Sequence, residues 1–337
     1  MSHLLTQPCR RRLPSCWIIG LAVLLICSTG AAAVPVREQA QQTDRLHGLL
    51  ILHQGQPVLE LERNGPGLSA PANIKSVSKT VLSILAGMAI DRGVIESVDT
   101  PLVDLLGDRF PDNATPGAET ITFGQALSMQ IGLASTSGRE YGRWVQSDNW
   151  VSHVLTRPMV DQPGGRMIYS TGSTHLAAAA LVEASGRSLA ELARDWLGEP
   201  LNIRIPDWMT DPQGIHFGGN EMVLSPRALA RLGELYRLDG RINGQQVVSA
   251  DWIAQSWQAN GRSPWTGDDY GFGWFITQVN DLDVFYGRGY GGQALFVVPE
   301  AELTIAITSN PNPPSSGWQF RQLLELVALA IDQYGTH

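Results

Sequence analysis

Residues 74–93 read IKSVSKTVLSILAGMAIDRG. Val77, Val81, Ile84, Leu85 and Met88 recur at three- and four-residue spacing. That period predicts a helix from Ser76 to Arg92, with Gly93 as its stop. A serine opens the helix and a lysine follows three positions later, so Ser76 and Lys79 share one face. Unpaired backbone N–H groups and the helix dipole at such a start favour negative charge developing beside Ser76.

Lysine usage sharpens the reading. The chain has 24 basic residues, and all but Lys75 and Lys79 are arginine. Arginine is permanently protonated, whereas a desolvated lysine can give up its proton and act as a base. A chain that elsewhere uses arginine, but keeps a lysine three residues after a serine, points to a need for an amine there. A serine hydroxyl is a weak nucleophile until a neighbouring base takes its proton.

The chain on either side sets the fold class. Leu49 to Leu52 and Val58 to Leu61 read as a hairpin around His53-Gln54-Gly55-Gln56. The middle, about 101–260, is helix and loop: Ile121 to Gly132, Ser173 to Ser185, Ser188 to Leu197 and Ser225 to Leu238 carry helical patterns. Ser225-Pro226 is a serine cap before a first-turn proline. Strand character returns in Tyr270 to Val279, Leu282 to Tyr286, Ala294 to Val298 and Leu303 to Thr308, before a closing helix from Phe320 to Tyr334. The order predicts an α+β fold: an antiparallel sheet built from both chain ends, flanked by helices, with an inserted all-helical lobe. The sheet lobe takes in about 46–100 plus 261–337, and residues 34–45 read as a polar spacer.

Two further segments can carry chemistry. Tyr169-Ser170-Thr171 follows the turn Gln162-Pro163-Gly164-Gly165 and precedes a helix, and a tyrosine so placed can relay protons. Gly289-Tyr290-Gly291-Gly292-Gln293 leads into a strand, and its glycines allow close approach to the backbone. His175 lies six residues after Tyr169 and fits a core or helix-surface position best. Trp144, Trp150 and Trp265 fall in loops and are candidates for a pocket wall. There is no Gly-x-Ser-x-Gly elbow, no His-Glu-x-x-His and no phosphate or dinucleotide loop.

Ser76-Val77-Ser78-Lys79 resembles the Ser-x-x-Lys element of the β-lactamase and penicillin-binding-protein superfamily. Tyr169-Ser170-Thr171 resembles the Tyr-x-Asn element of its class C branch, and Tyr290-Gly291-Gly292 falls where that branch has Lys-Thr-Gly. The flanking segments "ITFGQALSMQIGL" and "GGNEMVLSPRALARLGELY" also resemble the family, and the similarity runs from about 45 to 335. Its nearest flavour is the class C-like esterases, D-amino-acid peptidases and 6-aminohexanoate-dimer hydrolases.

The resemblance implies a β-lactamase/transpeptidase-like fold and acyl transfer without metal or organic cofactor. Ser76 is the implied nucleophile, with Lys79 and Tyr169 moving protons. The backbone N–H groups of Ser76 and Gln293 are implied to hold the oxyanion. Thr171, Tyr290, Gly291 and Gly292 are the implied substrate contacts. Thr171 stands where the family has Asn and Tyr290 where it has Lys, which favours an ester or amide hydrolase over a true β-lactamase. A true β-lactamase or D-amino-acid peptidase, or a non-catalytic wall-binding module of the same fold, are the alternatives.

Composition bounds the setting. Arg10, Arg11 and Arg12 precede an apolar run from Trp17 to Cys27, and Ala31-Ala32-Ala33 offers a cleavage site. This is the layout of an export signal over residues 1–33; the run is short of the roughly 20 residues of a spanning helix. A periplasmic or secreted protein is expected, with an uncleaved membrane anchor as the alternative. Without the leader, 21 basic residues face 32 acidic ones, a formal charge of −11 in place of −8. An acidic surface disfavours nucleic acid as a partner and leaves a small-molecule or peptide ester or amide as the expected one. Cys9, Cys16 and Cys27 all lie in the leader, so a cleaved chain has no thiol.

Overall fold

A computed structural model describes residues 35–335. Its helices are α1 (Val36–Gln42), α2 (Ser78–Asp91), α3 (Leu102–Leu106), α4 (Phe123–Leu127), α5 (Tyr141–Val145), α6 (Trp150–Leu155), α7 (Thr171–Ser185), α8 (Leu189–Ala193), α9 (Glu199–Leu201), α10 (Pro226–Arg237), α11 (Ala250–Ser256) and α12 (Gly317–Tyr334). The strands are β1 (Leu46–His53), β2 (Gln56–Glu62), β3 (Ala72–Asn73), β4 (Val223–Leu224), β5 (Arg241–Ile242), β6 (Gln245–Gln246), β7 (Gly261–Arg262), β8 (Asp269–Tyr270), β9 (Phe275–Val279), β10 (Leu282–Gly289), β11 (Gln293–Val298) and β12 (Leu303–Ser309).

Eight strands form one antiparallel sheet in the order β2-β1-β12-β11-β10-β9-β8-β7. The two chain ends meet in it, with Leu49 opposite Ile307 and Ile51 opposite Ile305. The central strands β1, β11 and β12 are buried at nearly every position because both faces are covered. Leu49 and Ile51 join a core with α1 and α12, while Leu50 and Leu52 join the other core with α2, α7 and α10. Side chains alternate across a strand, so an unbroken apolar run is what a doubly covered strand requires.

Helices α2 and α7 form the centre of the helical side. α2 is buried from Ser78 to Ala89 and α7 from Thr171 to Leu181. Neither has a polar face, as expected of helices packed on all sides. Ala177–Ala180 keep α7 thin, and α2, α3, α4 and α6 all pack on it.

Several boundaries move. Residues 34–45 are not wholly a spacer: α1 occupies Val36–Gln42, with Val36 and Ala40 fully buried beside α12. α10 packs on β1, β11 and β12, so this part of the expected helical lobe belongs with the sheet. The helix expected from Ile121 to Gly132 closes after one turn, at Leu127, and Met129 takes a φ of 65°. The strand expected from Tyr270 to Val279 is cut into β8 and β9 at Gly273, whose φ is 75°. The leader, residues 1–33, lies outside the described residues.

Candidate active site

Ser76 sits in a 3-10 turn, Lys75–Val77, that runs directly into α2. The turn is held from several sides. Lys75 has a φ of 52°, a left-handed conformation costly for a residue with a side chain. Its N–H donates to Asn73 Oδ1 at 2.9 Å, and its ammonium pairs with Glu221 at 3.0 Å. Asn73 Nδ2 donates to the same carboxylate at 2.5 Å. β3 and β4 pair with Ala72 opposite Leu224, which brings Glu221 alongside. Ser78 Oγ donates to Lys75 O at 2.6 Å and accepts from Met222 N at 3.2 Å.

The turn also lies flat against β10 and touches β11. Alternate glycines on β10 allow it. A Cβ on Gly287 would stand 2.5 Å from Thr80 Oγ1, and one on Gly289 would stand 2.4 Å from Ile74 O. This close approach sets the backbone of Ser76 beside the strand pair that carries Gln293, the residue expected to share the oxyanion.

Lys79 is 2% exposed. Its Nζ lies 3.1 Å from Ser76 Oγ, donates to Gly219 O at 2.6 Å, and reaches Thr171 Oγ1 at 3.4 Å. Burial without a carboxylate partner disfavours the ammonium and pushes its pKa down to about 7. Tyr169 presents its ring to the same amine, with Nζ 5.1 Å from the centroid. Burial raises the Tyr169 phenol above its usual range, while its hydrogen bond with Ser76 and the charge of Arg288 pull it back in part. A hydroxyl, an amine able to be neutral at pH 7 and a phenol thus converge. Thr171 completes the group: its hydroxyl is 3.0 Å from Ser137 Oγ, and its N–H donates to Ser137 Oγ at 2.8 Å.

Two recesses open on Ser76. One, of about 390 Å³, is bounded by Ser137, Tyr141, Thr171, Asn220 and the Lys75–Glu221 pair. The other, of about 250 Å³, is bounded by Trp265, Phe275, Arg288 and Gly289. Tyr169 and Tyr290 border both.

With this geometry in place, the comparisons with known proteins decide the family. The beta-lactamase family profile matches residues 30–330. The chain belongs to the beta-lactamase family. It is 24% identical over 330 residues to the 6-aminohexanoate-dimer hydrolase of Paenarthrobacter ureafaciens, covering 90% of this chain and 83% of that one. Among solved structures, it is similar to the hydrolase EstCE1, which has promiscuous acyltransferase activity (TM-score 0.71, 19% identity, 87% of this chain and 97% of that one). It is also similar to a penicillin-binding-protein homologue from Caulobacter crescentus (TM-score 0.71, 18% identity, 88% and 96%). The α+β fold read from the sequence is the fold of these neighbours.

On this beta-lactamase-family fold, the residues singled out in the sequence divide. Ser76, Lys79, Tyr169 and Thr171 come together, and Tyr290 stands at the mouth, 49% exposed. Gly291 and Gly292 border neither recess. They form a turn with φ of 77° and 91° whose back is covered: Gly291 N–H donates to Ser315 Oγ at 2.7 Å, and Gln319 Nε2 donates to Gly291 O at 2.9 Å. Both glycines are required by the turn, whose positive φ values suit them alone. Gln293 turns its side chain inward to Ser309, donating to its O and accepting from its N–H.

The sequence reading missed Gly219, Ser137 and Asn220. Gly218-Gly219 was the available signal. A Cβ on Gly219 would lie 2.1 Å from Thr174 Oγ1 and 3.1 Å from Lys79 Nζ, so only glycine brings that carbonyl against the amine. Trp144 and Trp150 are core; Trp265 is the tryptophan that reaches the site.

His175 lies in the core, fully buried with Asp211 at 3.0 Å inside a cage of Trp144, Trp150 and Phe217. Burial alone would raise the Asp211 carboxyl; the His175 contact and N–H groups of Ile215 and Gln213 overcome it and hold the group below its usual range. Removing one member of a buried pair strands the other. His175→Ala is expected to destabilise the protein by about 3–5 kcal/mol, and the double variant with Asp211→Ala by less than the sum of the two single losses. Urea midpoints of the four proteins check this. A loss under about 1 kcal/mol for His175→Ala would show that the pair carries little of the fold.

Proposed function

We propose that the chain is a serine hydrolase that cleaves ester or amide carbonyls through an acyl-enzyme. The observation that carries it is the buried Lys79 amine, with a pKa of about 7, 3.1 Å from the Ser76 hydroxyl. In this reading Ser76 Oγ attacks the carbonyl carbon while its proton passes to neutral Lys79. Negative charge on the carbonyl oxygen is held by the backbone N–H groups of Ser76 and Gln293. As the tetrahedral species collapses, the leaving oxygen or nitrogen takes a proton from Tyr169, which is restored from Lys79. Water then adds to the acyl carbon, gives its proton back through the same pair, and releases the acid and free Ser76.

Export belongs to this reading through the basic and apolar leader. Thr171 and Tyr290 in place of the family's Asn and Lys support esters and linear amides over β-lactams. The test is direct: labelling of the folded protein by a fluorophosphonate, and turnover of short p-nitrophenyl esters beside a chromogenic cephalosporin. Ester turnover with labelling fits the proposal. Neither labelling nor turnover of any substrate would leave a non-catalytic module of this fold.

The pH dependence follows with its sign. Lys79 accepts a proton only when neutral, so below about 7 the base is blocked. kcat/KM is expected to rise about tenfold per pH unit below that point and to level off above it. A profile flat between about pH 5.5 and 8.5 on the same ester would remove Lys79 as the base.

A further inference from the structure

The two recesses beside Ser76 differ in their lining. The larger combines Ser137, the Asn220 amide and the Lys75–Glu221 pair with the rings of Tyr141, Tyr169 and Tyr290. The smaller has the rings of Tyr169, Trp265, Phe275 and Tyr290, and is also bordered by Ser263, Thr266 and Ser315. Arg288 also borders it, with its guanidinium 4.1 Å from the centroid of Phe320.

Trp265 stands out. At 71% it is the most exposed large apolar side chain among the described residues. Exposed tryptophan is unfavourable in water, and concentrated exposed rings mark binding surfaces. Nothing in the core uses this ring; its one aromatic contact is edge-on to Tyr169, with centroids 5.7 Å apart and planes at 75°. Its loop is firmly built. Ser263 N–H donates to Asp268 O at 2.8 Å, Gly267 N–H donates to Ser263 O at 3.0 Å, and Tyr286 donates to the Asp268 carboxylate at 2.5 Å. The loop backbone that carries the ring is therefore held in place before any ligand arrives, which lowers the ordering cost of binding.

We propose that Trp265 is a specificity-determining residue. The substrate carries an apolar group of several carbons on one side of its scissile bond, packed against Trp265, Phe275 and Tyr290. Its other side meets Ser137, Tyr141 and Asn220 in the larger recess. The proposal rests on Ser76 being the nucleophile. Each methylene buried against the rings is worth about fourfold in kcat/KM, the equivalent of ~0.8 kcal/mol.

Two ester series test it: acetyl to octanoyl esters of one alcohol, and acetates of methyl to heptyl alcohols. In one of them, wild-type kcat/KM is expected to climb about fourfold per methylene until the recess is full. Trp265→Ala is expected to flatten that climb, losing roughly thirtyfold more on the longest chains than on the shortest, the worth of two to three buried methylenes. Trp265→Phe should keep most of the slope. The proposal is overturned if wild type is flat in both series. It is also overturned if Trp265→Ala lowers every ester by one common factor, since the ring would then serve Tyr169 rather than the substrate. Fluorophosphonate labelling separates the two levels. A labelled enzyme with unchanged slopes rejects Trp265 alone, whereas an unlabelled, inactive one rejects the nucleophile itself.

Discussion

Ser76→Ala is expected to abolish turnover and fluorophosphonate labelling, while the protein stays folded with nearly unchanged stability. Loss of the nucleophile in serine hydrolases costs about a million-fold in kcat, and neither neighbouring serine has an equivalent setting. Ser78 is buried and spends its hydroxyl on Lys75 O and Met222 N–H. Ser137 lies beside Thr171, not in the turn against β10. The substitution removes one oxygen from a partly buried side chain at the site, so it opens no core cavity. Lys79 keeps its strongest partner, the Gly219 carbonyl. Residual ester hydrolysis within about a hundredfold of wild type, in protein shown by near-ultraviolet dichroism to be folded, would place the chemistry elsewhere.

What the sequence made legible was local, and what it hid was distant. Ser76 and Lys79 could be paired because three residues on a helix are neighbours by construction. Tyr169 was visible because a turn precedes it and a helix follows. The Gly219 carbonyl lies 140 residues from Lys79 in sequence, and a backbone oxygen has no residue-type signature. Its only trace was a glycine pair that fits many turns. The same contrast holds in the fold. β1 declared itself by the apolar run Leu49–Leu52 and β12 by Leu303 and Ile305–Ile307, whereas α1 offers two buried residues among seven, too few for a period. The pattern of α10 showed that it has an apolar face but not that the face covers β11 and β12 rather than the helices. The Gly289–Gln293 stretch reads as one unit, yet Gly289 permits the close approach of the turn that carries Ser76 while Gly291 and Gly292 reverse the chain. Composition cannot separate those duties, because glycine serves both.

The two lysines give the sharpest test of mechanism, because the same conservative change should have opposite outcomes three and one positions from the proposed attack. Lys75 lies at the edge of the larger recess and pairs with Glu221. Arginine can keep that pair, with a fork suited to carboxylate, so Lys75→Arg is expected to stay within about threefold of wild type in kcat/KM. Lys79 has no carboxylate; its partners are a carbonyl and two hydroxyls. Arginine there retains a positive charge but cannot shed a proton near neutral pH, and its larger head must fit where a Cβ on Gly219 would already stand 3.1 Å from Nζ. If Lys79 is the base, Lys79→Arg is expected to lose about a thousandfold or more, close to Lys79→Ala, since positioned proton transfer contributes about 10²–10⁴. If the lysine matters only as a charge that steadies Tyr169 or the oxyanion, arginine should recover much of what alanine loses. Kinetics of all three variants on one ester separate the cases, with dichroism confirming that each is folded. A folded Lys79→Arg enzyme within about tenfold of wild type, a loss of only about 1.4 kcal/mol, would show that Ser76 is activated by something other than Lys79.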